Sequence, residues 1–124
     1  AVRITVHRAH FANTLRECFF INVTNLSRTR EIEITHVWFA STPPVHAVEA
    51  DRPLPKRLKP DEPWETWVDV GRLSAIDQQT AYKLARVRLS TGAIIKSKRN
   101  EGVPTEGTVA GGPVSSPQSA TMKA

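Results

Sequence analysis

Five side chains could serve as soft ligands of a transition metal, namely four histidines and one cysteine. His7 and His10 are three residues apart, a spacing that points them to opposite faces of a strand. His36 and His46 fall in a strand and in a proline-rich segment, respectively. Together with Cys18 they show neither the Cys-x-x-Cys nor the His-x-x-x-His spacing of a metal site. We therefore expect no metal ion and no cofactor.

Catalysis through Cys18 would require a neighbouring base that activates the thiol. Glu17 and His10 are the nearest candidates along the chain. The cysteine precedes two phenylalanines in a central strand, however, where a thiol is typically a small buried apolar group. No Gly-x-Ser-x-Gly motif, glycine-rich phosphate loop or paired-carboxylate motif is present. The sequence therefore predicts that the protein is not an enzyme.

Basic residues near the end of the apolar part of the chain could bind a polyanion such as nucleic acid. Arg86 and Arg88 share the outward face of one strand, and Lys96 and Lys98 lie on its partner or just beyond it. Arg3 could join them if the first strand lies alongside. Such a patch would give a log–log salt slope of about −4. Charged strands also serve solubility and prevent aggregation, and this hairpin lacks the aromatic residues that stack on single-stranded bases.

Two tryptophans indicate a different surface, one that binds a protein partner. Trp64 and Trp67 are three residues apart on a strand, so they cannot both point into one core. We expect one of them to be partly exposed and to anchor a partner. The alternative is that the loop of residues 41–60 folds over it. A non-enzymatic interaction module, using an edge strand or this tryptophan-bearing surface, is the main functional prediction, and polyanion binding is the second.

The elements that position these residues show a period of two, which is typical of strands. VRITV alternates apolar and polar side chains near the start of the chain. ECFFINVTN is richer in β-branched and aromatic residues, and we expect the side that bears Phe19, Ile21 and Val23 to face the core. WETWVDV and ARVRL alternate in the same way. These segments therefore predict strands that are half buried.

In EIEITHVWF the alternation breaks, because Val37 is out of phase with Ile32 and Ile34. This indicates either a bulge near His36 or a strand that is covered on both faces. Gly92 stands near the end of a short loop between two strands, as in a hairpin turn that requires a positive φ.

Two segments depart from the strand pattern. Residues 41–63 contain six of the nine prolines, which predicts loop, edge or irregular extended chain. Further on, Ser74 could cap a short helix that runs toward Tyr82, with Asp77 at its third position.

The strands together predict an all-β fold. About seven to eight short strands with no long helix indicate an antiparallel, immunoglobulin-like β-sandwich over residues 1–100, and a small closed barrel is the alternative. Residues 101–124 consist mainly of Gly, Pro, Ser, Thr and Ala, with too few apolar side chains to form a core. They predict a disordered C-terminal tail.

Four segments, FFINVTNLS, EIEITHVWF, RPLPKRLKPDEPWETWV and ARVRLSTGAIIKSKRN, together resemble a group of small bacterial immunoglobulin-like β-sandwich proteins. The similarity covers nearly all of residues 2–100, and its most specific part is the Leu-Pro-x-x-Leu-x-Pro-x-Glu segment from Leu54 to Glu62. The resemblance implies a fold and no catalytic or binding residues.

Charge and composition bear on the cellular compartment in which the protein is expected. Residues 1–30 carry a net charge of +4, residues 31–80 of −4 and residues 81–124 of +5, so the two ends are basic around an acidic middle. No apolar run approaches the length of a membrane span, and the first ten residues lack the apolar stretch of a signal peptide. A lone cysteine favours a reducing compartment. We therefore expect a cytoplasmic protein with no membrane partner.

Overall fold

The computed structural model describes residues 1–97 and the backbone of residues 113–115. These residues form nine strands: β1 (Val2–Phe11), β2 (Glu17–Asn25), β3 (Ile32–Phe39), β4 (Val45–His46), β5 (Lys56–Leu58), β6 (Pro63–Asp69), β7 (Ala85–Leu89), β8 (Ile94–Lys96) and β9 (Pro113–Ser115). The same described residues contain one short α-helix, α1 (Ala75–Gln79), with 3₁₀ turns at Val70–Arg72 and Ala81–Lys83. The all-β prediction is confirmed.

The strands form two antiparallel sheets. The first sheet has the order β6-β2-β1-β9. The second sheet has the order β4-β3-β7-β8, and β5 also pairs with β3. One edge of β3 pairs with β7. The opposite edge of β3 pairs with β4 and β5, one after the other along the strand. The proline-rich segment thus supplies two short edge strands and a loop, as its composition predicts.

The main core lies between the two sheets. Phe19, Ile21 and Val23 are buried in it, which confirms the predicted core face of β2. The ring of Phe19 meets the ring of Phe39 from the second sheet edge to face, with 5.9 Å between centroids. Side chains of this size each stabilise the fold by about 1.5–3 kcal/mol when they are fully buried.

A bulge in β3 determines which of its side chains reach the core. The pairing with β7 shifts register between Ile34 and His36, so the first of the two predicted alternatives, a bulge near His36, is the one that the structure shows. Ile34 points into the core before the bulge, and Val37 and Phe39 point into it afterwards. The extra residue therefore turns His36 and Trp38 toward the outer face of the second sheet.

The β7–β8 hairpin and α1 also form as predicted. Gly92 has a φ of 92° in the turn, where a side chain would be strained. At α1, the Ser74 hydroxyl accepts a hydrogen bond of 3.2 Å from the backbone N–H of Asp77. The cap satisfies one of the amides at the start of the helix.

One part of the predicted disordered tail is described. Residues 113–115 form β9, which pairs antiparallel with Ala9, His10 and Phe11 of β1 and so extends the first sheet. The rest of the predicted tail, residues 101–112 and 116–124, lies outside the described residues.

Candidate functional site

The outer face of the second sheet collects aromatic and basic side chains in two rows that cross its strands. In the first row, His46 of β4 pairs with Trp38 of β3, Trp38 with Arg86 of β7, and Arg86 with Lys96 of β8. The second row pairs His36 with Arg88, and Arg88 with Ile94. We call this surface the basic face. It consists of His36, Trp38, His46, Arg86, Arg88, Ile94 and Lys96.

The aromatic half of the basic face is a cluster of three rings. The Trp38 and His46 rings are stacked, with 5.8 Å between centroids and 25° between planes. The His36 ring stands edge-on to His46 at 6.4 Å, and its Nδ1 lies 3.0 Å from the hydroxyl of Thr35. Trp38 is half-buried, whereas both histidines are exposed. A flat aromatic surface therefore remains open to solvent.

The basic half holds cations that are not neutralised. The Nη1 of Arg86 donates to the backbone carbonyls of Lys83 and Ala85 at 2.9 Å each, which holds the guanidinium at the start of β7. Arg88 and Lys96 are exposed, and neither forms an ion pair with any described residue. Neither row, as far as the structure describes the sheet, contains a carboxylate. The face can therefore attract anions.

The predicted polyanion site is only partly assembled. Arg86, Arg88 and Lys96 come together as expected, but Arg3 does not join them. Arg3 lies on β1, in the other sheet, opposite Thr24 on the side that faces away from the core. The prediction for Arg3 is wrong because β1 pairs with β2 and not with the β7–β8 hairpin. Lys98 lies outside the described residues.

The two predicted tryptophans occupy opposite faces of β6, as their spacing requires. Trp64 is half-buried and packs against the main core. Trp67 points to the outer face of the first sheet and is only 6% exposed. Trp67 is therefore no exposed anchor, and Arg52 from the proline-rich loop covers it, with the guanidinium carbon 4.9 Å from the ring centroid.

Trp67 belongs to a second apolar cluster, which the sequence did not indicate. We call it the outer cluster, and its members are Ala9, Phe11, Cys18, Phe20 and Trp67. Phe20 is completely buried although it points away from the main core. Arg16 lies 5.5 Å from the centroid of Phe11 and forms ion pairs with Asp69 and Glu49. Within the described part of the chain, the Nε1 of Trp67 is buried without a hydrogen-bond partner.

Cys18 is unsuited to nucleophilic chemistry. Burial raises the pKa of its thiol to about 12, and the hydrogen bond of 3.3 Å to Asp69 contributes to the same shift. The thiol therefore stays protonated at neutral pH, whereas the attacking species is the thiolate. This agrees with the prediction that Cys18 is a small buried apolar side chain.

His7 packs against the outer cluster as a neutral side chain. Its ring stacks on Phe20 at 5.5 Å, and its Nδ1 lies 3.2 Å from the Nδ2 of Asn22. An amide nitrogen donates, so Nδ1 accepts this hydrogen bond. Burial lowers the pKa of His7 below its usual value.

Metal ligands do not gather anywhere in residues 1–97. The described residues contain no group of three or more His, Cys, Asp or Glu side chains that could hold an ion. In the same part of the chain, no helix is both long and apolar enough to cross a membrane.

Sequence reasoning considered His36 and His46 only as metal ligands and missed their grouping with Trp38 on one face of the sheet. The break in alternation near His36 was the available signal, because a bulge at that point turns the following tryptophan outward. Arg86 and Arg88, which pair with Trp38 and His36, are about fifty residues further along the chain. No local sequence pattern predicts which residues of β3 and β7 lie opposite each other.

Comparison with known protein families, with curated proteins and with solved structures finds no match to this chain.

Proposed function

We propose that the chain is a non-enzymatic binding module whose basic face binds single-stranded nucleic acid. The observation that supports this proposal is the pairing of Trp38 with Arg86 and Lys96 across three neighbouring strands. Single-stranded nucleic acid needs both a flat surface for its bases and cations for its phosphates. The basic face offers the two side by side.

The cations set the electrostatic part of the interaction. Arg86, Arg88 and Lys96 can each release one counterion from the bound strand, which corresponds to a log–log salt slope of about −2. Without Arg3, this slope is shallower than a five-cation patch would give. The expected binding is therefore modest and strongly weakened by salt.

Trp38 supplies the part of the interaction that distinguishes nucleic acid from other polyanions. A base stacked on an aromatic side chain stabilises such complexes by about 1–3 kcal/mol. His46 and His36 widen the ring surface beside Trp38. Sulfated or phosphorylated polymers without aromatic rings would use the three cations alone, and their binding would not depend on Trp38.

The strand order supports the expected immunoglobulin-like class. The order β6-β2-β1 in one sheet and β3-β7-β8 in the other corresponds to the E-B-A and C-F-G arrangement of those sandwiches. We extend the proposal to a bacterial protein of the cytoplasm, where the free thiol of Cys18 would stay reduced.

Fluorescence anisotropy with labelled single-stranded DNA and RNA, measured over a range of salt concentrations, tests the proposal. The double variant Arg88→Ala/Lys96→Ala should bind more weakly, and its salt slope should be shallower by about 1.4. The matched control is Arg28→Ala/Arg30→Ala, which removes two exposed cations from the loop before β3 and should bind like the wild type. An equal loss of affinity in the two double variants would contradict a binding site localised on the basic face.

A pull-down, with and without nuclease, tests the alternative of a protein partner. Recovery that disappears with nuclease and with salt supports the basic face. A nuclease-resistant partner that survives high salt would instead favour the expected protein-binding module, with an edge strand or the half-buried Trp64 as its contact.

A further inference from the structure

A cleft lies at the edge of the first sheet, away from the basic face. It is open to solvent and has a volume of about 510 Å³ between β6 and the loop that precedes β5. Asn22, Trp64 and Glu65 from the sheet contribute to its lining, and Asp51, Arg52 and Lys56 contribute from the other side. Its volume falls within the range of small-molecule sites, about 300–1,000 Å³.

Arg52 holds the two walls of the cleft together. Its Nε donates to the backbone carbonyl of Glu65 at 2.9 Å, and its Nη1 donates to the carbonyl of Asp51 at 3.0 Å. The guanidinium also lies over Trp67. These three contacts fix one side of the cleft before any ligand arrives.

Three polar groups in the cleft have unused hydrogen-bonding capacity. The half-buried carboxylate of Glu65 accepts no hydrogen bond from any described residue, and burial raises its pKa. Asn22 uses its Nδ2 with His7, which leaves its Oδ1 available. The ammonium group of Lys56 forms no ion pair within the part of the chain that the structure describes. The charge of Arg52 offsets part of the cost of this burial, but a partly desolvated carboxylate without a hydrogen bond remains costly, and a bound donor would lower that cost.

We propose that this cleft binds a small neutral saccharide. Hydroxyl groups both donate and accept, so one sugar ring can donate to Glu65 and Asn22 and accept from Lys56. Trp64 also lines the cleft, and the part of its ring that is not packed against the main core would contact the C–H face of the sugar. Arg52 and Lys56 balance Asp51 and Glu65 in charge, so the cleft favours a neutral polar ligand over an ion. This site is separate from the basic face and does not depend on nucleic-acid binding.

The test is a titration of the full chain with a panel of monosaccharides and disaccharides, followed by NMR of the tryptophan indole N–H signals and by calorimetry. We expect millimolar binding that shifts the indole signal of Trp64, assigned through Trp64→Phe. Glu65→Gln should weaken binding about tenfold, since it removes a hydrogen bond to a charged acceptor. The control Glu33→Gln changes a half-buried carboxylate of the second sheet and should bind like the wild type.

Three results would overturn the proposal. The first is the absence of binding at sugar concentrations up to tens of millimolar. The second is an equal affinity of Glu65→Gln and Glu33→Gln for the sugar. The third is an indole signal of Trp64 that shifts with glycine or betaine but does not shift with any sugar. Because Trp38 does not line the cleft, Trp38→Ala should keep sugar binding while its affinity for nucleic acid falls. Failure of one proposal is therefore distinguishable from failure of the other.

Discussion

The two outer faces of the sandwich use similar residues in opposite ways. On the first sheet, Trp67 is buried beneath Arg52, and Arg16 is paired with Asp69. On the second sheet, Trp38 is half-buried, and Arg88 has no acidic partner among the described residues. The Arg52–Trp67 and Arg16–Asp69 contacts pair these cations within the protein and stabilise the fold, whereas Arg88 is left for a ligand. The comparison shows that residue type alone does not indicate a binding surface, because pairing and coverage determine the role.

The largest expected effect is on stability, and it separates the two tryptophans. Trp67→Ala should lower the free energy of unfolding by about 3–5 kcal/mol, because it removes a buried ring from the outer cluster. Trp38→Ala should lower it by much less, since that ring is half exposed. Urea unfolding monitored by circular dichroism measures both. Equal losses of unfolding free energy would show that Trp67 contributes no more to stability than Trp38 does.

The second effect concerns binding, and here the substitution of Trp38 should have the larger effect of the two tryptophans. Trp38→Ala should weaken the affinity for single-stranded nucleic acid by about 1–3 kcal/mol, because a stacked base loses its aromatic partner. Trp38→Phe should restore part of the affinity, since a smaller ring still stacks. Fluorescence anisotropy at a fixed low salt concentration gives these values. An affinity unchanged by Trp38→Ala would leave a purely electrostatic polyanion site.

The smallest effect concerns the pH dependence of stability. Because burial depresses the pKa of His7 in the folded protein, the unfolded chain binds a proton more readily. The resulting contribution to stability is present above the usual histidine pKa of about 6.5 and is lost as pH falls below it. Urea midpoints between pH 7.5 and 5.5 should therefore decrease. His7→Phe keeps a ring on Phe20 and should flatten this decrease. An unchanged pH dependence in His7→Phe would contradict a neutral, half-buried His7.

Much of the fold follows from local sequence patterns. The alternation in β2 identified Phe19 as a core residue, the break in β3 indicated the bulge near His36, and Gly92 indicated the hairpin turn. Each of these features depends on residues within one strand or turn, where the side-chain period of two is sufficient.

The candidate site was harder to predict because its parts are distant in sequence. The register between Trp38 and Arg86 depends on a strand pairing that no local pattern specifies. Arg3 was assigned to the wrong surface for the same reason, since the choice of sheet for β1 is a property of the whole fold. The outer cluster was missed because a half-buried strand was expected to have only one apolar face, and Phe20 lies on the other.

The bulge in β3 has a consequence for the evolvability of the protein. By setting Val37 and Phe39 inward, it leaves positions 36 and 38 exterior, next to positions 86, 88, 94 and 96 of the neighbouring strands. These six positions form a contiguous surface on a rigid sheet whose interior partners are already fixed. Substitutions at these positions can alter ligand recognition with little effect on folding. The same scaffold can therefore acquire new ligands through changes at a small set of exterior positions, as other binding proteins do through changes in their loops.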